Sequence, residues 1–376
     1  MRICFVDLFM DLECSGGSMH SLDLYATKLA ERGHEVSILT FYPKRNIGFD
    51  RTKKPYKIIE DPLDIKSHID LTLTLKDKLK KYEKKFDIYH MHDPRLLLGA
   101  ALYRKFDGKI PVVGDLNTYL FYRKNFGATD IITLPIRFLH KQRLRLIDKY
   151  CDLLFPVSPY VENIYREYGI RKEKLFMIGD GFDFSKSKLA KRSDKKENSF
   201  RLLYLGRLEH TKGVDLIIRA LSLVNKPLIS LDIAGDGPEK EKLVELAKKL
   251  GIEKQVTFHG FITNEKMYNL FAKCDVFIHA PRWEEAFGRA IVDAMYAGLP
   301  VIVADIGGCP WVAGEGGLKF KSEDELELAK KIDLLYFDIK LREKLSEAGI
   351  ERAKYFDVKN TIDKFEEAYN KLAGGK

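Results

Sequence analysis

Two carboxylates eight positions apart, Glu285 and Asp293, bracket the start of a helical pattern that opens at Gly288. A carboxylate accepts two hydrogen bonds at once, so each suits a vicinal diol. The backbone N–H groups of Phe287, Gly288 and Arg289 point out of the helix start, where no intrahelical acceptor meets them. They suit a phosphate or a hydroxyl. Two cations, Arg207 and Lys212, flank a second loop that ends in a helix, a placement fit for a diphosphate. Local sequence also permits plainer readings. Arg289 and Asp293 fit an i,i+4 surface pair, Glu285 a helix cap, and Arg207 and Lys212 exposed basic side chains.

These residues need elements to hold them. Asp275–His279 reads as a buried strand, followed by an acidic loop with Trp283, Glu284 and Glu285. The helix from Gly288 has Ala290, Ala294 and Ala297 as its expected inward face. Gly298 caps it, Pro300 blocks its continuation, and Val301–Ala304 is the next strand, ended by Gly307 and Gly308. Arg201–Leu205 is a strand leading through Gly206 to Arg207. Lys212 precedes a helix with Leu216, Ile217, Ala220 and Leu221 inward. In open α/β sheets, ligands bind at the carboxyl ends of strands, where both loops lie.

The amino-terminal half opens as strand Arg2–Val6, a loop with Gly16 and Gly17, a helix ended by Gly33, and strand Glu35–Phe41. That is a Rossmann-like βαβ opening, although not G-x-G-x-x-G, so a dinucleotide is not the first expectation. Gly16 and Gly17 would let a ligand approach the backbone beside a helix start, or would simply make a tight turn. Residues 44–85 look irregular except for a lysine-rich helix. The strand from Asp87 runs into His90, His92 and Asp93. Its histidines alternate and no third ligand is apparent, which argues against a metal. Ile110–Leu116 is a strand followed by Asn117. Ile131–Tyr150 reads as a basic helix, interrupted near Pro135, with Phe138, Leu139, Leu146 and Ile147 inward. Asp152–Ser158 and Lys174–Ile178 complete the half as strands.

The chain has 376 residues, which predicts two domains. It is 45% hydrophobic and 32% charged, which excludes a disordered chain. A formal charge of +9 favours anionic partners, although a generally lysine-rich surface accounts for it too. No zinc-finger, RNP-like or basic-zipper pattern supports specific nucleic-acid binding. Five dispersed cysteines without C-x-x-C predict reduced thiols and a cytoplasmic setting. The opening MRICFVDLF predicts no signal peptide, and no apolar run reaches membrane-spanning length.

The run from Glu285 to Ile302, E-A-F-G-R-A-I-V-D-A-M-Y-A-G-L-P-V-I, resembles the E-x7-E segment of retaining glycosyltransferases of the GT-B fold, family 4. The likeness extends along the chain. Gly33-His34-Glu35-Val36 resembles the close of that family's first helix. Asp87-Ile88-Tyr89-His90-Met91-His92 resembles its D-I-x-H-x-H strand, and Ile178–Asp183 its I-P-N-G-V-D. Gly206–Gly213 resembles G-R-L-x-x-x-K-G, and Ile233–Pro238 I-A-G-x-G-P.

The resemblance implies an α/β protein of two Rossmann-like domains facing across a cleft. An acceptor domain would span 1–184, with a terminal helix, 357–376, crossing back to it. A linker would span 185–198 and a nucleotide-sugar donor domain 199–356. The implied activity is sugar transfer from a UDP-, GDP- or ADP-sugar to a glycan, lipid or small molecule, with retention and without metal or cofactor. Arg207 and Lys212 would neutralise the diphosphate. Glu285 would hold the transferred sugar and Asp293 the ribose. Gly16, Gly17, Gly206 and the 287–289 amides would line the donor. Phe261 and Ile262 would edge the base, and His92 and Asn117 would stand on the acceptor or sugar side. The basic helix near 131–150 would allow peripheral contact with the inner face of an anionic membrane; solvated arginines are the simpler account of it. Three positions depart from the family pattern: Asp293 for glutamate, Asn117 for histidine and Trp311 for an acid. They keep two alternatives open, a sugar-nucleotide epimerase of the same fold and a non-catalytic nucleotide-sugar-binding partner subunit.

Overall fold

The computed structural model describes residues 1–8, 17–41, 54–62, 68–117, 134–186 and 199–374; Gly16 therefore lies outside the described residues. The side chains of residues 68–70, 134–138, 186 and 264–265, Phe138 among them, are also outside it.

The chain divides into two compact units, Met1–Phe182 with Val358–Lys376, and Asp183–Asp357. In the first unit, strands β1 (Arg2–Asp7), β2 (Glu35–Thr40), β3 (Lys57–Glu60), β4 (Ile88–Met91), β5 (Val112–Leu116) and β6 (Leu153–Pro156) form one parallel sheet. Its order is β3-β2-β1-β4-β5-β6. The second unit repeats the plan. Strands β7 (Phe200–Leu205), β8 (Ile229–Ala234), β9 (Val256–Gly260), β10 (Val276–His279), β11 (Val301–Ala304) and β12 (Gly317–Phe320) are parallel in the order β12-β11-β10-β7-β8-β9. Parallel strands need crossovers, and helices supply them, so the central strands are apolar on both faces. In each sheet the chain fills one side, then returns to the middle and fills the other. The switch falls between β1 and β4 and between β7 and β10, and the carboxyl ends of strands at such a switch are where open α/β sheets bind ligands.

The terminal helix Val358–Ala373 belongs to the first unit. Its Ile362, Phe365 and Tyr369 are buried against Phe5, Ile88 and Phe155. Phe184, at the close of the expected first domain, stacks on Tyr296 in the second unit at 3.9 Å between ring centroids.

Several local expectations need correction. Lys174–Ile178 is not a strand; it makes a single bridge, Leu175 to Leu154, after a 3-10 turn. Two edge strands, β3 and β12, went unread because edge strands carry fewer apolar residues. A short helix, Cys309–Ala313, follows Gly308 where a loop was expected. The helix Arg289–Tyr296 buries Ile291, Val292, Ala294 and Met295, whereas Ala290 and Ala297 lie at its margins. In the helix Leu134–Tyr150, Pro135 sits in the first turn, where a missing N–H costs nothing, and does not interrupt it. Its inward residues are Leu144 and Ile147; Leu146 is half-buried and Leu139 is 59% exposed.

Candidate active site

In the second unit the site grows from the β7/β10 switch. After β7 the chain runs through Gly206 and Arg207 to a 3-10 turn, His210–Lys212, then to Gly213 and the helix Val214–Val224. After β10 it runs through Ala280 and Arg282 to Glu285. These two loops are locked together. Gly213 has φ +64°, and a Cβ there would lie 2.0 Å from the Ala280 carbonyl oxygen, so only glycine allows the approach. The Arg282 amide donates to the Thr211 carbonyl at 2.9 Å, and its guanidinium grips both Asp215 oxygens at 2.7 Å. Burial would raise the Asp215 pKa, but Arg282 holds it below the usual carboxylate range.

The lock delivers Lys212 to Glu285. Lys212 Nζ donates to Glu285 Oε1 at 2.6 Å, and His279 Nε2 lies 2.9 Å from Oε2. Burial of Glu285 opposes ionisation, yet His279 and Lys212 together lower its pKa to about 2. Behind it, the Gly308 amide donates to the Glu285 carbonyl at 2.7 Å. Gly307, at φ +64°, would bring a Cβ within 2.5 Å of that same carbonyl oxygen. The result is a carboxylate whose backbone and both oxygens are fixed.

The other expected donor residues take the following places. Arg207 pairs with Glu209, and its side chain is 74% exposed at the rim. A Cβ on Gly206 would lie 2.8 Å from the Tyr204 hydroxyl, and a Cβ on Gly235 would lie 1.8 Å from the Gly206 oxygen, so the two glycines pack backbone to backbone. Phe261, just past β9, is 83% exposed, and Ile262 is half-buried. Gly288 adopts φ +92° and starts the helix that carries Arg289 and Asp293, both half-buried. Phe287 is buried 5.1 Å from Phe356 and 6.2 Å from Trp311, as ring centroids. Trp311 does packing work there. The Arg352 guanidinium stacks 4.8 Å over its ring and donates to its carbonyl at 2.7 Å.

A second polar cluster fills the β1/β4 switch of the first unit. Asp115 on β5 reaches His90 Nε2 at 2.8 Å with one oxygen and His92 Nδ1 at 2.7 Å with the other. His90 Nδ1 lies 2.6 Å from the Tyr369 hydroxyl. His92 Nε2 lies 2.8 Å from the Ser18 carbonyl and 3.1 Å from its hydroxyl. Asn117 Nδ2 donates to the Ser18 hydroxyl at 3.3 Å and to the His92 carbonyl at 3.2 Å. So His92 and Asn117 converge on the start of the helix Gly17–Glu31, which Gly17 opens. Burial would lower the His92 pKa, but Asp115 raises it, to about 9.

Reading the sequence missed His279, Arg282, Asp215 and Asp115. His279 and Asp115 left one signal each: a polar residue within, or ending, an otherwise apolar run. Arg282 and Asp215 left none, because each is an ordinary surface residue until the loops meet.

A family model described as "Glycosyl transferases group 1" matches residues 185–352. A second, "Glycosyltransferase Family 4", matches residues 15–186. The chain belongs to the family 4 glycosyltransferases of the GT-B fold. Mannosylfructose-phosphate synthase of Agrobacterium fabrum is 24% identical over 330 residues, 79% of this glycosyltransferase and 72% of the relative. Glycogen synthase of Mycobacterium tuberculosis is 24% identical over 359 residues, 88% and 85% of the two chains. Among solved structures, Anabaena HepE in complex with UDP and glucose superposes with a TM-score of 0.74 at 23% identity, covering 98% of each chain. Sucrose-phosphate synthase from Thermosynechococcus elongatus superposes at 0.79 with 18% identity, covering 100% of this glycosyltransferase and 99% of that chain. At those identities the superpositions speak to the fold.

The Arg282–Asp215 grip offers a check on how the site is built. Arg282→Ala is expected to lower turnover by about tenfold or more through displacement of Lys212, since small misplacements remote from the chemistry are costly. A double-mutant cycle with Asp215→Ala should show a coupling of about 1.5–3 kcal/mol in stability. Additive losses would mean the two loops are held by something else.

Proposed function

We propose that this glycosyltransferase moves a sugar from a nucleoside-diphosphate sugar to an acceptor hydroxyl, with retention at the anomeric carbon and without a metal ion. The observation that carries the reading is the ionised Glu285 fixed by Lys212 and His279 at the β7/β10 switch. Glu285 would hold sugar hydroxyls, which a carboxylate with immobile oxygens can orient. Lys212, with Arg207 at the rim, would stabilise the charge that builds on the departing diphosphate, a task a metal ion otherwise performs. Asp293 would take the ribose diol and the amides of residues 287–289 a phosphate or hydroxyl. The family likeness supports retention, and the two cations support metal independence. Anabaena HepE, solved with UDP and glucose, supports the nucleotide-sugar assignment.

The acceptor is a glycan, a lipid-linked chain or a small molecule. Among the described residues no helix is long and apolar enough to cross a membrane. The helix Leu134–Tyr150 nonetheless exposes Leu139 and three cations, Lys141, Arg145 and Lys149, and its basic character is what suits an anionic bilayer.

Thermal shift against UDP, GDP, ADP and their sugars tests the donor. One nucleotide series should stabilise the second unit, by about 2.7 kcal/mol at 100 times its Kd. Turnover should survive excess chelator, and the product's anomeric configuration, read by NMR, should match the donor's. Inversion, or loss of turnover with chelator, would overturn the respective part of the reading.

A further inference from the structure

Cys309 has no part in the transfer chemistry described above, yet it is fully buried beside Glu285. It begins the short helix after Gly307 and Gly308. One ligand atom each from His279, Glu285 and Cys309 falls within 4.8 Å of the other two. The three come from separate elements: the end of β10, the acidic loop and the helix after β11. The glycine contacts that fix Glu285 therefore also fix the spacing of the group. His279 is not committed elsewhere, since its Nδ1 is buried with no hydrogen-bond partner among the described residues.

We propose that His279, Glu285 and Cys309 form a binding site for a thiophilic divalent cation of the Zn2+ class, and that its occupancy arrests transfer. Imidazole, carboxylate and thiolate are the donors a borderline-soft ion takes in a four-coordinate site. Three protein donors leave the fourth position for water. Mg2+ and Ca2+ prefer an all-oxygen shell and find one carboxylate here, so they do not compete. Binding is balanced in protons. The cation displaces the proton of the Cys309 thiol, which leaves to solvent; Glu285 binds as the carboxylate it already is, and His279 binds as a neutral imidazole with its proton on the ring nitrogen that does not bind the ion. The bound ion and two anionic ligands are then neutral together, with Lys212 still beside Oε1. Arrest follows because the Glu285 oxygen that faces His279 is taken, and the carboxylate can no longer turn both lone-pair sets to a sugar. This last step rests on the reading of Glu285 as the sugar-holding group; the metal site itself does not.

The test uses the full chain under reducing conditions, with Co2+ as the optical probe and Zn2+ as the inhibitor. Co2+ should produce a thiolate-to-metal charge-transfer band that saturates at one ion per chain, and Zn2+ should displace it. Zn2+ should also stop sugar transfer, chelator should restore it, and Mg2+ should do neither. In Cys309→Ser the band should vanish and the Zn2+ concentration for half-inhibition should rise by about tenfold or more, given what lost ligand-shell contacts cost. Uninhibited turnover of C309S shows that the variant is folded; Cys309→Ala serves if the serine variant is not. Absence of the Co2+ band in the wild type overturns the site, as does an unchanged band and inhibition in both variants. A saturating band without inhibition overturns the arrest and counts against Glu285 as the sugar's partner, leaving the two failures distinguishable.

Discussion

Glu285→Gln is expected to lower kcat/KM by about 10²–10³-fold, and Lys212→Ala by a similar factor, while the fold survives both. Glutamine keeps the shape of the side chain but loses its charge. One of its two terminal groups must present N–H to His279 or Lys212, where the carboxylate now accepts from both at 2.9 and 2.6 Å. The sugar's hydroxyls then meet a group that is misoriented and half as good an acceptor. Lys212→Ala acts on the other partner. It removes the cation proposed to face the departing diphosphate and leaves Glu285 held by His279 alone. A charged contact in a dry site is worth about 2–4 kcal/mol in the transition state, which sets the magnitude. Initial rates across donor concentrations, with thermal melts as a fold control, decide it. Turnover within about threefold of wild type in both variants would refute the assignment, because no charged group in contact with the reacting sugar is that dispensable.

The pH behaviour of this pair has a defined sign. The Glu285 pKa in the folded chain, about 2, lies below its ordinary value. Its contribution to stability is therefore present above the ordinary carboxylate range and is lost as pH falls toward 2. With its pKa held near 2, Glu285 is expected to stay ionised well below neutral pH, so an acid limb near neutrality is expected to come from another group.

The second large effect concerns the first unit. Asp115→Asn is expected to destabilise the protein by about 3–5 kcal/mol, read as a fall in urea midpoint. Asp115 is buried between two buried histidines and accepts from both, with burial offset by His90 and His92 so that its pKa falls to about 2. Asparagine offers one acceptor where two are needed and points an N–H at an imidazole N–H. The pH dependence separates this electrostatic cause from simple mispacking. His92 has its folded pKa raised to about 9, against burial, by Asp115. A raised pKa stabilises fully below the ordinary histidine range and ceases to do so as pH rises through about 9. Wild type should therefore lose stability between pH 6.5 and about 9, the window of that shift, and Asp115→Asn should lose much less there. An equal slope in both proteins would show that Asp115 does not hold the proton on His92.

How far each result was legible from residues alone varies by kind of feature. The alternation of apolar runs with helical periods, broken by glycine and proline, was enough for two doubly wound halves, because burial on both faces leaves an unmistakable apolar strand. It was not enough for β3 and β12, whose edge positions relax that demand. Nor did period alone choose the inward face of the helix Arg289–Tyr296. Small alanines suggested close packing, yet Ile291, Val292 and Met295 bury more apolar area and won the interior. Leu139 shows the converse, an apolar residue on a helix whose inward stripe is set by Leu144 and Ile147.

The motif residues Lys212 and Glu285 were identifiable from type, spacing and family likeness. Their mutual contact was not, because they stand 73 positions apart and meet only when β7 and β10 lie side by side. The same holds for Arg282 with Asp215 and for Asp115 with its two histidines. The sequence by itself determined which elements form, which family the chain resembles and which residue types stand at the ends of its strands. Only the tertiary structure decided which of those residues share a hydrogen bond, and hence which carry charge. Ionisation in a buried site depends on the few ångströms between partners, and that distance is a property of strand order and not of position along the chain.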